Sequence, residues 1–194
     1  MNIKAKWLRF TEETNAFDYL KSAVFFIKRT EADKTAWKWV ILSLHGALYG
    51  YAICAIKSTN PDRVTYKNKK GKVMLISFDE ALKRCQSDKW MRQFVHSRTL
   101  HLTTDQKWSI EKSKKEFRNC FEHYKPLALS IEIHGMPQIA IDFLDVIRFL
   151  AIDSGNIFNF SQYKQRKIKS LIFQSKKLLK RTKLYKESLI TNQI

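Results

Sequence analysis

The spacing of apolar residues along this chain predicts α-helices over most of its length. Apolar side chains recur every three or four residues at about 15–29 and again at about 32–57. The second segment, "AWKWVILSLHGALYGYAICAI", is apolar on nearly all sides, which is typical of a helix at the centre of a fold. Thr30 with Asp33 predicts the N-terminal cap of this helix, and the break "STNPDR" predicts its end.

The stretch after that break, "VTYKNKKGKVMLISF", has a different pattern. Two short β-prone runs flank the polar, Gly-containing "KNKKGK", which predicts a small hairpin or an ordered loop around 63–77. Ser77 with Glu80 then predicts a capping box for a short helix to about Cys85, and Ser87 predicts the cap of another helix to about His96.

Three more helices complete the expected fold. Thr103 with Gln106 predicts the start of the next helix, and Pro126 predicts that this helix ends near Tyr124. Pro137 is predicted to be the first residue of the next helix, which ends at "DSGN", and a last helix is predicted at about 161–186. The fold class is therefore predicted to be all-α, with a helical domain over 1–160 and a basic helical extension over 161–194 that packs on it or follows it.

The composition gives the chain a strong positive charge. The chain has 194 residues and 44% hydrophobic content, as expected for one globular domain, but 36 Lys and Arg face 18 acids, for a net charge of +18. Ten of the cations lie between Tyr163 and Lys186, where there is no acid. Such a patch favours a polyanionic partner, and RNA is the preferred one. The predicted nucleic-acid contacts are Lys164, Arg166, Lys167, Lys176, Lys177, Lys180, Arg181 and Lys183.

Other sequence features indicate the cellular compartment of the protein and the kinds of chemistry that it can perform. Cys54, Cys85 and Cys120 share no metal-ligand spacing, so reduced thiols are expected, and neither a metal site nor a cofactor is predicted. The N-terminus "MNIKAKWLRF" has no apolar stretch of signal-peptide length, so a cytoplasmic protein is expected. Polar residues interrupt the long apolar segment, which favours a buried helix over stable membrane insertion.

The segment "KKEFRNCFEHYKP" carries the residues best suited to catalysis. It brings Arg118, Asn119 and His123 together where Pro126 must end the helix. A His near its ordinary pKa can donate or accept protons at neutral pH, and the planar Arg fork can stabilise charge that develops on a phosphate. This set of residues suits metal-independent RNA cleavage. One His cannot perform both proton transfers in the same step, so a twofold dimer is expected to supply the second.

"RNCFEH" resembles the R-x4-6-H signature of the HEPN superfamily of α-helical proteins. The early apolar helix and the later "PLALSIEIHGMPQIAIDFLDVIRFL" are similar to uncharacterised bacterial members, over roughly 17–152. The resemblance implies a HEPN-like helical bundle and a metal-independent endoribonuclease with its active site at a homodimer interface. It also implies a toxin or defence effector, with a cognate antitoxin as a partner. In this sequence Arg118 and His123 match the catalytic pair, and Asn119 matches the polar position after the Arg.

Other interpretations fit the same residues. The Arg-Asn-His set also suits a solvated helix end, in a non-catalytic module that binds RNA, DNA or an acidic protein. A Lys-rich helix with one apolar face also suits an anionic membrane surface. His45 is interpreted as a core histidine, with a supporting contact to the active site as the alternative. Trp37, Trp39 and Trp108 are interpreted as core residues.

Overall fold

The fold is an α-helical bundle with one small hairpin, which confirms the predicted class. The structure is a computed structural model that describes residues 6–122, 128 and 130–191. Its elements are α1 (Glu12–Ile27), α2 (Ala36–Lys57), a 3-10 turn (Pro61–Val64), β1 (Thr65–Lys67), β2 (Val73–Leu75), α3 (Phe78–Cys85), α4 (Asp88–Met91), α5 (Thr104–Lys112), a π-helical segment (Ser113–Arg118), α6 (Asn119–Glu122), α7 (Met136–Arg148), a second π-helical segment (Phe149–Asp153), α8 (Gln162–Leu179) and α9 (Lys183–Thr191).

Helix α2 is the centre of the core. It packs against α1, α3, α7 and the first π-helical segment, and Trp37 and Tyr51 are almost fully buried in it. Within the described residues, α2 is the one helix long and apolar enough to cross a membrane by length and composition, and 72% of its most apolar window is buried inside the protein. Its apolar character is therefore explained by its place in the core.

Two glycines on α2 let α1 approach closely. A Cβ atom at Gly46 would lie 2.7 Å from Cδ1 of Tyr19, and a Cβ atom at Gly50 would lie 2.7 Å from Cβ of Ala16. Both distances are far below van der Waals contact, so a larger residue at Gly50 would push the helices apart and one at Gly46 would displace the ring of Tyr19. Helices α1 and α2 are consequently held close together, and later elements pack against this pair.

The predicted hairpin is present between the predicted residues. β1 and β2 pair antiparallel, with Tyr66 opposite Met74, and the turn is held by Asn68, whose Oδ1 accepts hydrogen bonds from the backbone N–H groups of Lys70 and Lys72. Gly71 adopts φ of +74°, a left-handed conformation that glycine tolerates best. The hairpin brings β2 and the start of α3 over the surface of α2.

Two predicted helix starts differ from the structure. α1 begins at Glu12 rather than near residue 15, because Thr11 and Thr14 form a capping box. α2 begins at Ala36 rather than near residue 32, because Thr30 does not cap it. The Thr30 hydroxyl instead donates to the carbonyl of Ile27 and closes the end of α1.

Two predicted helix ends also differ. α4 stops at Met91 rather than near His96, and the side-chain amide of Gln93 donates to the carbonyls of Ala55 and Ile56 at the end of α2. The predicted last helix is two helices, since α8 ends at Leu179. The buried Thr182 makes the break: its hydroxyl donates to the carbonyl of Leu179 and accepts from the N–H of Tyr185.

The tryptophan prediction was right for one of three residues. Trp37 is 1% exposed, whereas Trp39 and Trp108 are 47% and 54% exposed. Trp39 stacks on Phe26 at the outer side of the α1–α2 pair, and the Lys112 ammonium lies 4.8 Å from the ring centroid of Trp108. Helical spacing placed these rings on helices correctly, but it did not identify the face that the other elements leave uncovered.

Candidate functional site

The helix that carries Arg118 is capped at its start and changes from α-helical to π-helical winding in its middle. α5 begins at the predicted place, and Thr103 and Gln106 form a capping box there. The Ser109 hydroxyl then donates to Oδ2 of the buried Asp142 on α7, at 2.5 Å. Burial raises the pKa of Asp142, and the hydrogen bond from Ser109 opposes that rise. These contacts fix α5 against α7 and so fix the direction in which the helix continues.

The continuation is π-helical, which the sequence pattern did not predict. Over Ser113–Arg118 the winding is wider, and the N–H of Asn119 bonds to the carbonyl of Lys114, five residues earlier. A π turn changes the side-chain positions that a regular α-helix would give, and such turns are frequent at functional sites. With it, Phe117 is buried in the core and Arg118 reaches a cleft beside α2.

The three predicted catalytic residues have different outcomes. Arg118 is half-buried, and Asn119 is exposed beside it, with Nη1 of Arg118 donating a long hydrogen bond of 3.5 Å to Oδ1 of Asn119. His123 lies outside the residues that the structure describes. The structure thus brings together two members of the predicted set.

The cleft that Arg118 lines, called the Arg118 cleft below, has a volume of about 560 Å³. Its floor is α2, one wall is α1, and the other wall is β2 with the start of α3. This size is in the usual range of small-molecule sites. Its lining residues are Glu12, Asn15, Tyr19, Leu42, His45, Gly46, Tyr49, Gly50, Ile53, Leu75, Ser77, Phe78 and Arg118.

His45 is the second titratable residue at this end of the cleft. It is 8% exposed, and its ring packs against Phe78 with the centroids 4.2 Å apart. Burial, and then the charge of Arg118, lower the pKa of His45 to about 4; Lys114 acts in the same direction and Asp79 opposes it. The imidazole is therefore neutral at neutral pH. The burial of His45 agrees with its interpretation as a core histidine. Its place in the cleft beside Arg118 is where the alternative, a supporting contact to the active site, would require it to be.

A second concave surface runs between α7 and α8 and has a volume of about 540 Å³. Five cations and one acid line it, and Phe173 at its edge is 69% exposed. Lys176 pairs with the acid Asp145, with Nζ 2.7 Å from Oδ2. The residues lining this α7–α8 groove are Asp145, Arg148, Lys169, Ile172, Phe173, Lys176, Lys177 and Lys180.

The predicted nucleic-acid contacts therefore divide between separate surfaces of the basic helices. Three of them, Lys176, Lys177 and Lys180, line the α7–α8 groove. Lys164 and Lys167 lie on the other side of α8, where both ammonium groups approach the ring of Phe17 on α1. Arg166 and Arg181 are exposed, and Lys183 on α9 lies 3.6 Å from Glu187.

Other groove residues suited to RNA contact, Arg148 on α7 and Lys169 and Phe173 on α8, were not among the predicted contacts. A signal for the two on α8 exists in the sequence, because residues 169, 173, 176, 177 and 180 follow helical spacing along one side of α8. As to metals, no group of three or more His, Cys, Asp and Glu residues within the described ranges is arranged to hold an ion.

Comparisons with known proteins add no family to this picture. No protein-family model matches the chain, and neither a curated protein nor a solved structure is significantly similar to it. The HEPN resemblance therefore stays a prediction from the residues that carry it, and the function has to be argued from the Arg118 cleft and the α7–α8 groove.

Proposed function

We propose that this protein is a HEPN-type endoribonuclease that cleaves RNA without a metal ion and acts in the cytoplasm as a toxin or defence effector. The observation that supports this proposal best is that Arg118 lines a cleft of about 560 Å³ on the helix that leads into His123. In the proposed reaction, the 2′-hydroxyl loses a proton, the leaving 5′-oxygen gains one, and the phosphorane between them carries extra negative charge. Arg118 stabilises that charge, and His123 transfers a proton.

The α7–α8 groove supports the choice of RNA as the substrate. Its five cations can contact successive phosphates, and the exposed ring of Phe173 offers a surface on which an unpaired base can stack. Contacts of this kind hold the substrate equally in the ground state and the transition state. They therefore raise affinity and leave the turnover of bound substrate nearly unchanged.

A homodimer follows from the count of proton-transfer groups. One chain offers one histidine in the motif, whereas cleavage in one step needs both an acid and a base. A C2 interface that includes the helix 104–122 brings two copies of Arg118 and His123 to one phosphate. The half-exposed Trp108 on that helix is suited to such an interface, because aromatic residues are enriched where proteins associate. A cognate antitoxin protein remains a proposed further partner.

The proposal is tested by cleavage assays on the full chain in EDTA. RNA should be cut to leave 2′,3′-cyclic phosphate or 3′-phosphate ends, and a 2′-deoxy nucleotide at the scissile position should block cleavage. His123→Ala should lower the rate by about 100-fold or more, the usual scale for losing a general acid or base. Arg92→Ala and His101→Ala are matched surface controls and should keep the wild-type rate. Undiminished cleavage in a folded Arg118→Ala, His123→Ala double variant would contradict the assignment.

The dimer is tested by sedimentation at micromolar concentration. A dimer whose interface contains the helix 104–122 supports the two-chain site. A fully active monomer would show that one chain supplies both proton-transfer groups, and a dimer with distant Arg118 residues would favour a non-catalytic module.

The α7–α8 groove, taken by itself, favours a second candidate function, that of a non-catalytic RNA-binding module. Changing Lys169, Lys177 and Lys180 together to Gln should weaken RNA binding for all sequences. The log–log salt slope should also flatten by up to about 0.7 for each phosphate that the variant no longer binds. A matched control removes three charges from the hairpin, at Lys67, Lys69 and Lys70. Binding by the groove with no cleavage under any condition would favour this candidate, whereas equal losses of affinity in both triple variants would mean that net charge alone attracts RNA.

A further inference from the structure

His45 has a buried nitrogen for which the fold supplies no partner. Its Nδ1 is inaccessible to solvent and makes no hydrogen bond with any described residue. Buried polar atoms in proteins are nearly always hydrogen-bonded, so an imidazole whose Nδ1 is left unpaired needs a reason to be at this position, and a ligand contact of its other nitrogen, Nε2, is one such reason. Because His45 lines the Arg118 cleft and is only 8% exposed, its ring is part of a preformed site and is not a mobile surface side chain.

The surroundings of His45 hold its ring in a fixed place. The ring of Phe78 packs against the imidazole at an interplanar angle of 35°. The hydroxyl of Tyr49 donates to the carbonyl of Ile76, so this side chain is held on the same side of the cleft. An imidazole fixed in this way loses little freedom when a ligand binds, which favours affinity.

The charges facing the imidazole define what can bind beside it. Arg118 and Lys114 act on His45 as cations and Asp79 acts as an anion. Asp79 is paired with Lys114, whose Nζ lies 2.9 Å from its Oδ1, and Arg118 has the largest effect of the three charges on His45. An Arg fork next to an imidazole suits a phosphate, because the guanidinium can donate two parallel hydrogen bonds and Nε2 of the imidazole can donate another.

The rest of the cleft suits the uncharged part of a nucleotide. The ring of Tyr19 lies over Gly46 and is 41% exposed, which leaves a flat aromatic surface along α1. Base stacking on aromatic side chains tolerates any base. At the far end, Glu12 pairs with Lys57, with Nζ 3.1 Å from Oε1. The cleft thus combines a cationic end, an aromatic wall and a polar far end.

We propose that the Arg118 cleft binds one nucleotide unit, with Arg118 and His45 in contact with its phosphate and the ring of Tyr19 against its base. This site rests on the proposed function, because it takes Arg118 as the phosphate contact of the same RNA substrate and identifies His45 as a further substrate-contacting residue. In the ligand-free protein His45 is neutral. A phosphate beside the ring favours the charged imidazolium, so the nucleotide should bind together with a proton over part of the acidic range.

The direct test follows the imidazole of His45 by NMR in the full chain, with and without saturating uridine 3′-monophosphate. The nucleotide should raise the pKa of His45 from about 4 by about one unit or more, the usual effect of a nearby opposite charge. Uridine, which lacks the phosphate, should leave this pKa unchanged, and so should added salt at the same ionic strength. The exposed His101 is the internal control and should not respond. An unchanged pKa of His45 in the saturated complex would overturn the proposal.

A pair of variants gives an independent measurement. His45→Phe keeps a ring against Phe78 but has no hydrogen-bonding atom, whereas His45→Gln keeps one. His45→Phe should bind uridine 3′-monophosphate about tenfold more weakly than the wild type, and His45→Gln should lie between the two. Equal affinity in His45→Phe and the wild type would also overturn the proposal. If either variant fails to fold, the NMR titration of the wild type still decides.

Failure of this site and failure of the ribonuclease can be told apart. If His45→Phe cleaves RNA at the wild-type rate and the nucleotide leaves the pKa of His45 unchanged, the nucleotide site is refuted and the proposed ribonuclease is not. If the nucleotide raises the pKa of His45 but the chain cleaves no RNA, the ribonuclease is refuted and the nucleotide site is not.

Discussion

His45 should make the stability of this protein depend on pH in a defined window. Its pKa is lowered from 6.5 to about 4 in the folded protein, chiefly by burial. Between these two values the unfolded chain binds a proton that the folded protein rejects, so the free energy of unfolding falls as the pH falls. The slope for one proton is about 1.4 kcal/mol per pH unit, which gives a total of about 3 kcal/mol lost between pH 6.5 and pH 4. Above pH 6.5 this contribution is constant.

The assay is urea unfolding of wild type and His45→Gln at pH 7, 6, 5 and 4, followed by tryptophan fluorescence. Glutamine does not titrate, so subtracting the two free energies cancels every other group that responds to acid. The carboxylates of Glu12 and Glu111 are among these, since their pKa values are lowered in the folded protein. The difference between the two proteins should move by about 3 kcal/mol in favour of the variant as the pH falls to 4.

Parallel curves for wild type and His45→Gln from pH 7 to pH 4 would refute this reasoning. They would mean that the imidazole takes up a proton in the folded state as readily as in water. The Arg118 cleft would then be open to water or would supply a counter-charge at His45, and the burial of this ring could no longer support a fixed ligand site.

Three further predictions concern packing, capping and thiol access. Gly50→Ala should cost about 1–3 kcal/mol of stability, because its Cβ would meet Cβ of Ala16 at 2.7 Å; circular dichroism during thermal unfolding measures this. Thr103→Ala should cost about 1 kcal/mol by removing the cap of α5, whereas Thr103→Ser should cost less. Cys120, which is partly exposed, should react with a maleimide in the native protein, and mass spectrometry should find the two buried cysteines modified only after unfolding.

The helices and the hairpin could be predicted because their signals are local. The apolar spacing of α2, the capping box at Thr103 and the polar turn around Gly71 each lie within a few neighbouring residues. The predicted helix boundaries were less reliable where the deciding contact is distant. α4 ends early where Gln93 bonds to the end of α2. The break at Thr182 is made by contacts within three residues, but it lies in a Lys- and Leu-rich segment whose helix propensity is the same on both sides.

The site was predicted only in part, for two physical reasons. The π turn before Arg118 depends on hydrogen bonds five residues apart, for which the segment "SKKEFR" has no distinctive spacing. The approach of His45 to Arg118 depends on the packing of α2 against the π-helical segment, and these elements are far apart in the chain. Local pattern therefore singled out Arg118 and Asn119 as candidates, but it could not show that a core helix supplies a second titratable group to the cleft that Arg118 lines. The position of His123, outside the described residues, stays a prediction.

The burial of His45 connects the core to the proposed chemistry. A hydrophobic side chain at this position would pack against Phe78 without an unsatisfied nitrogen and without a penalty in acid, so stability alone does not account for an imidazole here. Natural proteins depart from the most stable choice chiefly at functional sites. The same argument applies to the π turn, which departs from the regular α-helical winding in the segment where Arg118 turns toward the cleft. Two departures from regular packing, the unpaired nitrogen of His45 and the π turn before Asn119, therefore meet at the Arg118 cleft, where the substrate phosphate is proposed to bind.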